Sequence, residues 1–272
     1  MFIYKPDGTP VEIATGGGAG DEDTAKERLT GKVLLAIGDS YTRGMASQLE
    51  ALAAKYGMVI DNVGYVGATI CWRSTDSARR LYNIVDTAVN AYTNGKTVSG
   101  TTYHASDVGI VTFMGGANDD AAVEGWIGTG PHETDKTTIY GSLNHIFSTL
   151  QATFTGAKVI CISQPSFYSM TVSDITTDAR AQEMGFDDLA ELQVMDDVQY
   201  SNYCQGAKEK AVREMAWLYG CEFVDMFHDF PPVNNPTNRT AYWNSDKLHL
   251  TTAGYNLVAA AIDRKIVEVF GQ

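Results

Sequence analysis

From residue 31 onward the chain alternates short, continuously apolar runs with segments whose apolar residues recur every three to four positions. The runs are Val33-Leu34-Leu35-Ala36-Ile37, Met58-Val59-Ile60, Val108-Gly109-Ile110-Val111-Thr112-Phe113, residues 158–163 and Glu222-Phe223-Val224-Asp225. A strand with apolar side chains on both sides must be covered on both sheet faces, as in a parallel sheet under helices. Helical spacing follows in Met45, Leu49, Leu52, Ala53 and Tyr56, then in Leu143, Ile146, Phe147 and Leu150, and again in Val212, Met215, Ala216 and Tyr219. A last helix carries Leu257, Val258, Ala261, Ile262, Ile266 and Val269 on one side. Strand–helix–strand units of this kind place helices on both faces of one sheet. The expected fold is α/β: a three-layer α/β/α sandwich with a mostly parallel, flavodoxin-like central sheet. Its chemistry belongs beyond the carboxyl ends of the strands. Residues 70–107 and 165–201 fall outside the alternation. The second stretch, rich in acidic, aromatic and Met residues, is suited either to capping a site or to plain surface packing.

Residues 1–30 have a different character. Pro6-Asp7-Gly8 is a turn between two β-prone stretches, and Gly16-Gly17-Gly18-Ala19-Gly20 before Asp21-Glu22-Asp23 has the composition of a flexible linker. The expected organisation is a leader with a Gly-rich linker over 1–30 and one domain over 31–272. Thirty-three acidic against 20 basic residues give a net charge of -13, which argues against nucleic acid and against docking on anionic membranes. No apolar run approaches the ~20 residues of a membrane span. The first eight residues lack the basic start and apolar core of a secretion signal. The four cysteines, Cys71, Cys161, Cys204 and Cys221, are widely spaced without a zinc-ligand pattern, and Cys161 sits in an apolar strand like a small hydrophobe.

Four short motifs carry candidate chemistry. Gly38-Asp39-Ser40 follows the first buried strand, where a serine projects from a strand-to-helix turn and the helix aims its amides at developing negative charge. Taken alone, Asp39 or Ser40 there reads more readily as a helix cap. Asp246-Lys247-Leu248-His249 precedes the final helix, with Thr251 and Thr252 at its start. A three-residue step within a helical turn sets the carboxylate beside the imidazole and fixes its tautomer, although such a pair can also be a plain surface pair. Asn62-Val63-Gly64-Tyr65-Val66-Gly67 and Gly115-Gly116-Ala117-Asn118-Asp119 follow the second and third strands. Glycine permits close backbone approach and asparagine donates without charge, while each loop alone is also ordinary turn composition.

Together, and in this order along the chain, the four motifs resemble the blocks of the SGNH/GDSL hydrolase superfamily over about residues 31–272: the GDS serine, N-x-G-x-x-G, G-x-N-D and D-x-x-H. The resemblance implies Ser40 as nucleophile, Asp246 and His249 as its triad partners, and the Ser40 amide, Gly67 and Asn118 as oxyanion-hole donors. It implies no metal and no cofactor. Tyr41 stands where many members have leucine, which bears on substrate preference. Asp119, Asp120 and Glu124 are expected to be solvated loop charges and not a metal site. His104, His132, His145 and His228 are expected to be structural or surface residues.

The implied activity is that of a serine esterase on small carboxylic esters. The polar character expected around the site (Asn118, Asp119, Asp120, Tyr41, Arg43, Trp72) favours O-acetyl groups on carbohydrate, a small-molecule or sugar-ester partner. Lysophospholipase or thioesterase action on lipid esters is the alternative within enzymes. A non-catalytic carbohydrate-binding module that kept the fold is the alternative outside them.

Overall fold

Strand β3 (Val33–Gly38) is buried at every position because its side chains alternate between two cores. Val33, Leu35 and Ile37 enter one cluster, and Leu34 and Ala36 enter the other. The computed structural model describes residues 2–4, 10–12, 21–71, 76–119, 127–167, 177–178, 182, 187–194, 197–231 and 235–272. Strands β1 (Phe2–Tyr4) and β2 (Pro10–Glu12) form a small antiparallel pair. The central sheet joins β3, β4 (Val59–Asn62), β7 (Val108–Met114), β8 (Lys158–Ile162) and β9 (Glu222–Val224). All its pairings are parallel and the order is β4-β3-β7-β8-β9. That order is the flavodoxin-like one expected from the alternation.

One face is covered by α4 (Leu81–Asn94), α5 (Ile139–Thr153) and α7 (Asp197–Leu218), and the other by α1 (Glu22–Leu29), α3 (Ala46–Lys55) and α10 (Thr252–Phe270). Between these lie α2 (Ser40–Gly44), α6 (Leu189–Gln193), α8 (Met226–Asp229) and α9 (Pro236–Tyr242). Among the described residues no helix is long and apolar enough to cross a membrane.

Three stretches differ from the sequence expectation or fall beyond it. The leader and linker were expected to run through residue 30, yet Glu22–Leu29 is a helix with Ala25 and Leu29 buried. Asp21 caps it, acidic residues occupy its first turn and basic ones its last, so its charges oppose the helix dipole favourably. Two buried residues in eight are too few to produce a periodic signal. Within residues 70–107, α4 buries Leu81, Tyr82, Val85, Ala88 and Tyr92, a helical stripe diluted by Asn and Thr. The same stretch adds a hairpin of β5 (Lys96–Val98) and β6 (Thr101–Tyr103), turning through Ser99 and Gly100 at positive φ (48° and 85°). The Pro6-Asp7-Gly8 turn, the glycine linker through residue 20 and much of residues 165–201 lie outside the described residues.

Candidate active site

Ser40 opens α2 directly after β3 and is 8% exposed. Gly38 is required by crowding: a Cβ there would lie 2.0 Å from the Met114 carbonyl oxygen of β7. As the first helical residue, Ser40 has a backbone amide with no acceptor inside its own helix. Asp39 caps that helix by accepting from the Tyr41 amide at 2.9 Å. Its second oxygen accepts from the amides of Gly116 (3.2 Å) and Ala117 (3.1 Å) and from Gln164 Nε2 (2.7 Å). Asp39 therefore ties the serine turn to the loops after β7 and β8, a role the sequence reading left out. Burial pushes its pKa up from 3.8 to about 6, against the opposing pull of those hydrogen bonds.

His249 Nε2 stands 2.9 Å from Ser40 Oγ, and His249 Nδ1 stands 2.8 Å from Asp246 Oδ2. The other Asp246 oxygen accepts from the amides of Leu248 (3.0 Å) and His249 (2.9 Å). The expected helical turn is replaced here by a tight loop with Lys247 at φ 56°. The carboxylate gathers the amides itself, so the three-residue step works without a helix. Thr251 does cap α10, accepting from Gly254 N at 3.3 Å. For Asp246, burial pushes upward but is outweighed by hydrogen bonds from the His249 ring and the two amides, which hold it below the ordinary 3.8. An ionised Asp246 accepts a hydrogen bond from Nδ1–H, which fixes that tautomer and leaves the Nε2 lone pair toward Ser40.

Tyr41 was expected to border the substrate. It is instead fully buried, and its hydroxyl donates to the Leu248 carbonyl, bracing the loop that carries His249. Its ring packs edge-on against Tyr255 and lies 6.1 Å from the His249 ring. A phenol buried so deeply needs an acceptor, and this carbonyl supplies it.

The two candidate oxyanion loops meet beside the serine. Asn62 accepts from Gly64 N at 2.9 Å and donates to the Thr42 carbonyl at 3.1 Å, and Tyr65 N donates to the Gly38 carbonyl at 3.0 Å. Gly67 turns at φ 77°. Asn118 Nδ2 donates to the Ala68 carbonyl at 2.9 Å, which places the amide against the Gly67 segment and leaves its second N–H for another acceptor. Asp119 differs from the solvated loop charge expected of it. It is 2% exposed, not solvated, and accepts from Ile70 N (2.7 Å), Cys71 N (3.1 Å) and Cys71 Sγ (3.3 Å). The chain's own amides recruit this carboxylate, although burial pushes its pKa up. Of the other residues expected at the site, Arg43 is exposed, while Trp72, Asp120 and Glu124 lie outside the described residues.

Three of the histidines expected to be structural or surface residues are held by nearby aspartates. His145 Nε2 lies 2.7 Å from Asp86, and the His104 amide is bonded to Asp107. His228 pairs with Asp225 at the same three-residue spacing as His249 with Asp246. Among the described residues, Glu209, Asp225 and His228 offer ligand atoms within 4.8 Å of one another. The Arg213 guanidinium, 3.0 Å from Glu209, already places a positive charge there and works against a cation. Among the described residues, Cys161 and Cys221 are not joined in a disulfide.

The model of the GDSL-like lipase/acylhydrolase family matches residues 36–257, a span that contains every residue placed at this site. The chain belongs to this family. It is a hydrolase of ester bonds. No curated protein matches this GDSL-like hydrolase by sequence. A structure of a Lactobacillus plantarum protein superposes with a TM-score of 0.58 at 22% identity, covering 86% of this chain and 95% of that one. A possible lipase from Chitinophaga pinensis superposes with a TM-score of 0.54 at 16% identity, covering 87% and 98%. At these identities the likeness concerns the fold of the GDSL-like hydrolase, not its substrate.

Proposed function

We propose that the GDSL-like hydrolase cleaves small carboxylic esters, O-acetyl groups on carbohydrate above all, through an acyl-enzyme on Ser40. The observation that carries the reading is the continuous chain from Ser40 Oγ through the His249 ring to Asp246, at 2.9 and 2.8 Å. His249 takes the Ser40 proton as Oγ attacks the ester carbonyl, and the tetrahedral oxyanion meets the Ser40 and Gly67 amides and the Asn118 side chain. His249 then hands the proton to the leaving alcohol. Water repeats the sequence, breaking the acyl–oxygen bond to release acetate and restore Ser40. Asp246 stays ionised throughout and stabilises the imidazolium.

A nucleophile only 8% exposed, bordered by backbone amides and Asn118, suits a small acyl group. Release of acetate from acetylated oligosaccharides, absent in Ser40→Ala, is the expected result. Covalent labelling of a different serine by an organophosphonate would remove Ser40 from the nucleophile role.

One observation favours a lipid ester instead. Tyr65 and Val66, just before Gly67, are 42% and 61% exposed and would offer apolar surface to a chain. A series of p-nitrophenyl esters separates the two. Activity that falls beyond acetyl or butyryl supports the sugar ester, and activity that rises supports the lipid.

A further inference from the structure

A buried cation lies beneath the loop that carries Asn118. Lys208 is on α7, far along the chain from the candidate triad, and is 7% exposed. Its ammonium donates to the carbonyls of Gly116 at 2.8 Å and Asp119 at 2.7 Å, the residues two before and one after Asn118. It also sits 5.7 Å from the centre of the Phe167 ring. Three residues earlier on α7, and so on the same side of the helix, Gln205 accepts from Phe167 N at 3.1 Å and donates to Phe167 O at 2.9 Å. One helix edge thus pins the loop after β7 with an ammonium and the loop after β8 with an amide.

Two carboxylates also hold this loop. Asp39 holds the Gly116 and Ala117 amides, and the Asp119 carboxylate holds the amides of Ile70 and Cys71. Two buried carboxylates so close together call for a compensating charge, and among the described residues Lys208 brings one onto the loop. An ammonium that loses its hydration is held in such a place only when it gains good acceptors, and two carbonyls bracketing Asn118 are those acceptors. The Gly116 carbonyl belongs to the same peptide as the Ala117 N–H, so the ammonium on it strengthens that N–H's bond to Asp39 and stiffens the loop before Asn118.

We infer that Lys208 is a positioning residue for the reaction: by clamping the Gly116 and Asp119 carbonyls it fixes the Asn118 amide where the oxyanion forms. The inference rests on Asn118 acting in the oxyanion hole as proposed above. Lys208→Met removes the ammonium while keeping a linear chain up to the ε carbon. The expected loss is about tenfold or more in kcat with KM within about twofold, because the aim of a transition-state donor is lost and ground-state binding is not.

The deciding measurement is a cycle with Asn118→Ala. If Lys208 acts through Asn118, Lys208→Met changes kcat less than about twofold in the Asn118→Ala background. An equal loss in both backgrounds, or no loss in either, overturns the inference. Should Lys208→Met fail to fold, judged by its thermal midpoint, Lys208→Gln keeps a donor without the charge and is read through the same cycle. Ser40→Ala runs alongside: turnover that survives it refutes the reading of the site, whereas its loss together with a flat cycle refutes only the role of Lys208.

Discussion

Two Asp-x-x-His pairs stand at the carboxyl edge of the same sheet, and locally they are nearly the same object. In each, the aspartate accepts from the backbone amide of its histidine, at 2.9 Å for Asp246 and 3.1 Å for Asp225. In each, the ring Nδ1 lies 2.8 Å from the carboxylate. They differ in setting. Asp225 is the N-cap of the regular helix α8, and its His228 ring is exposed. The pair at 246–249 sits on an irregular loop with Lys247 at φ 56°, braced from below by Tyr41. That loop aims Nε2 at a serine hydroxyl 209 positions away in the chain. The three-residue step thus makes an oriented imidazole wherever it occurs. Among the described residues, what sets the pair at 246–249 apart is the serine hydroxyl 2.9 Å from the His249 ring.

The largest effect expected is therefore a contrast between the two histidines. His249→Ala and Ser40→Ala should each lower kcat by about 10⁴-fold or more, since members of such a triad act as a unit. His228→Ala should leave kcat within about twofold. If His228→Ala costs as much as His249→Ala, the distinction drawn from the serine contact is wrong and the second pair takes part in turnover. Asp246→Asn and Asp225→Asn repeat the contrast one atom further out, with a loss expected only for the first because it alone fixes the tautomer facing Ser40.

Asn118→Ala sharpens the contrast from the other side of the serine, with a smaller effect. Removal of one oxyanion donor costs about 3 kcal/mol, roughly a hundredfold in kcat, with KM little changed. The His249 pair must remain oriented in that variant, so covalent labelling of Ser40 by an organophosphonate persists at a reduced rate. Unchanged turnover would remove Asn118 from the oxyanion role, and complete loss of labelling would mean that the loop also holds the serine in place.

What the sequence made legible follows physical range. The buried strands show through because a parallel strand needs apolar side chains on both faces, so a run such as residues 33–37 has few other homes. Gly38-Asp39-Ser40 and Asp246 with His249 show through because their spacing is local. Asp225 with His228 has the same local spacing and went unread, since spacing alone does not tell which of two such pairs faces the serine. Tyr41 and Asp119 were expected near solvent and are buried, because only the folded chain brings up the Leu248 carbonyl and the Ile70 and Cys71 amides that accommodate them. The reach of Lys208 into the 116–119 loop depends on a helix crossing about ninety residues away, with no trace in a linear motif. Short α1 was hidden for the opposite reason: its charges resemble a linker, and two buried side chains are too few to set a period.

The smallest of these effects is a slope in stability with pH, and it distinguishes the two aspartates nearest the reaction. Asp39 has its folded pKa pushed up from 3.8 to about 6, whereas Asp246 is held below 3.8. For Asp39 the folded state holds the proton more tightly than the unfolded chain does. Between about pH 4 and 6 the unfolded chain therefore binds fewer protons, and stability declines as pH rises, by at most about 1.4 kcal/mol per pH unit and about 3 kcal/mol across the window. Asp246 works in the opposite sense: its contribution is complete above pH 3.8 and is lost only as pH falls through its lower folded value. Urea-unfolding midpoints taken from pH 4 to 7 should therefore fall more steeply for the wild type than for Asp39→Asn, with the difference between them closing toward pH 4. The same comparison with Asp246→Asn should show no such convergence in that range. A parallel pair of curves for wild type and Asp39→Asn would mean that the carboxylate beneath the serine is ionised at little cost, and that the Gly116 and Ala117 amides with Gln164 offset its burial in full.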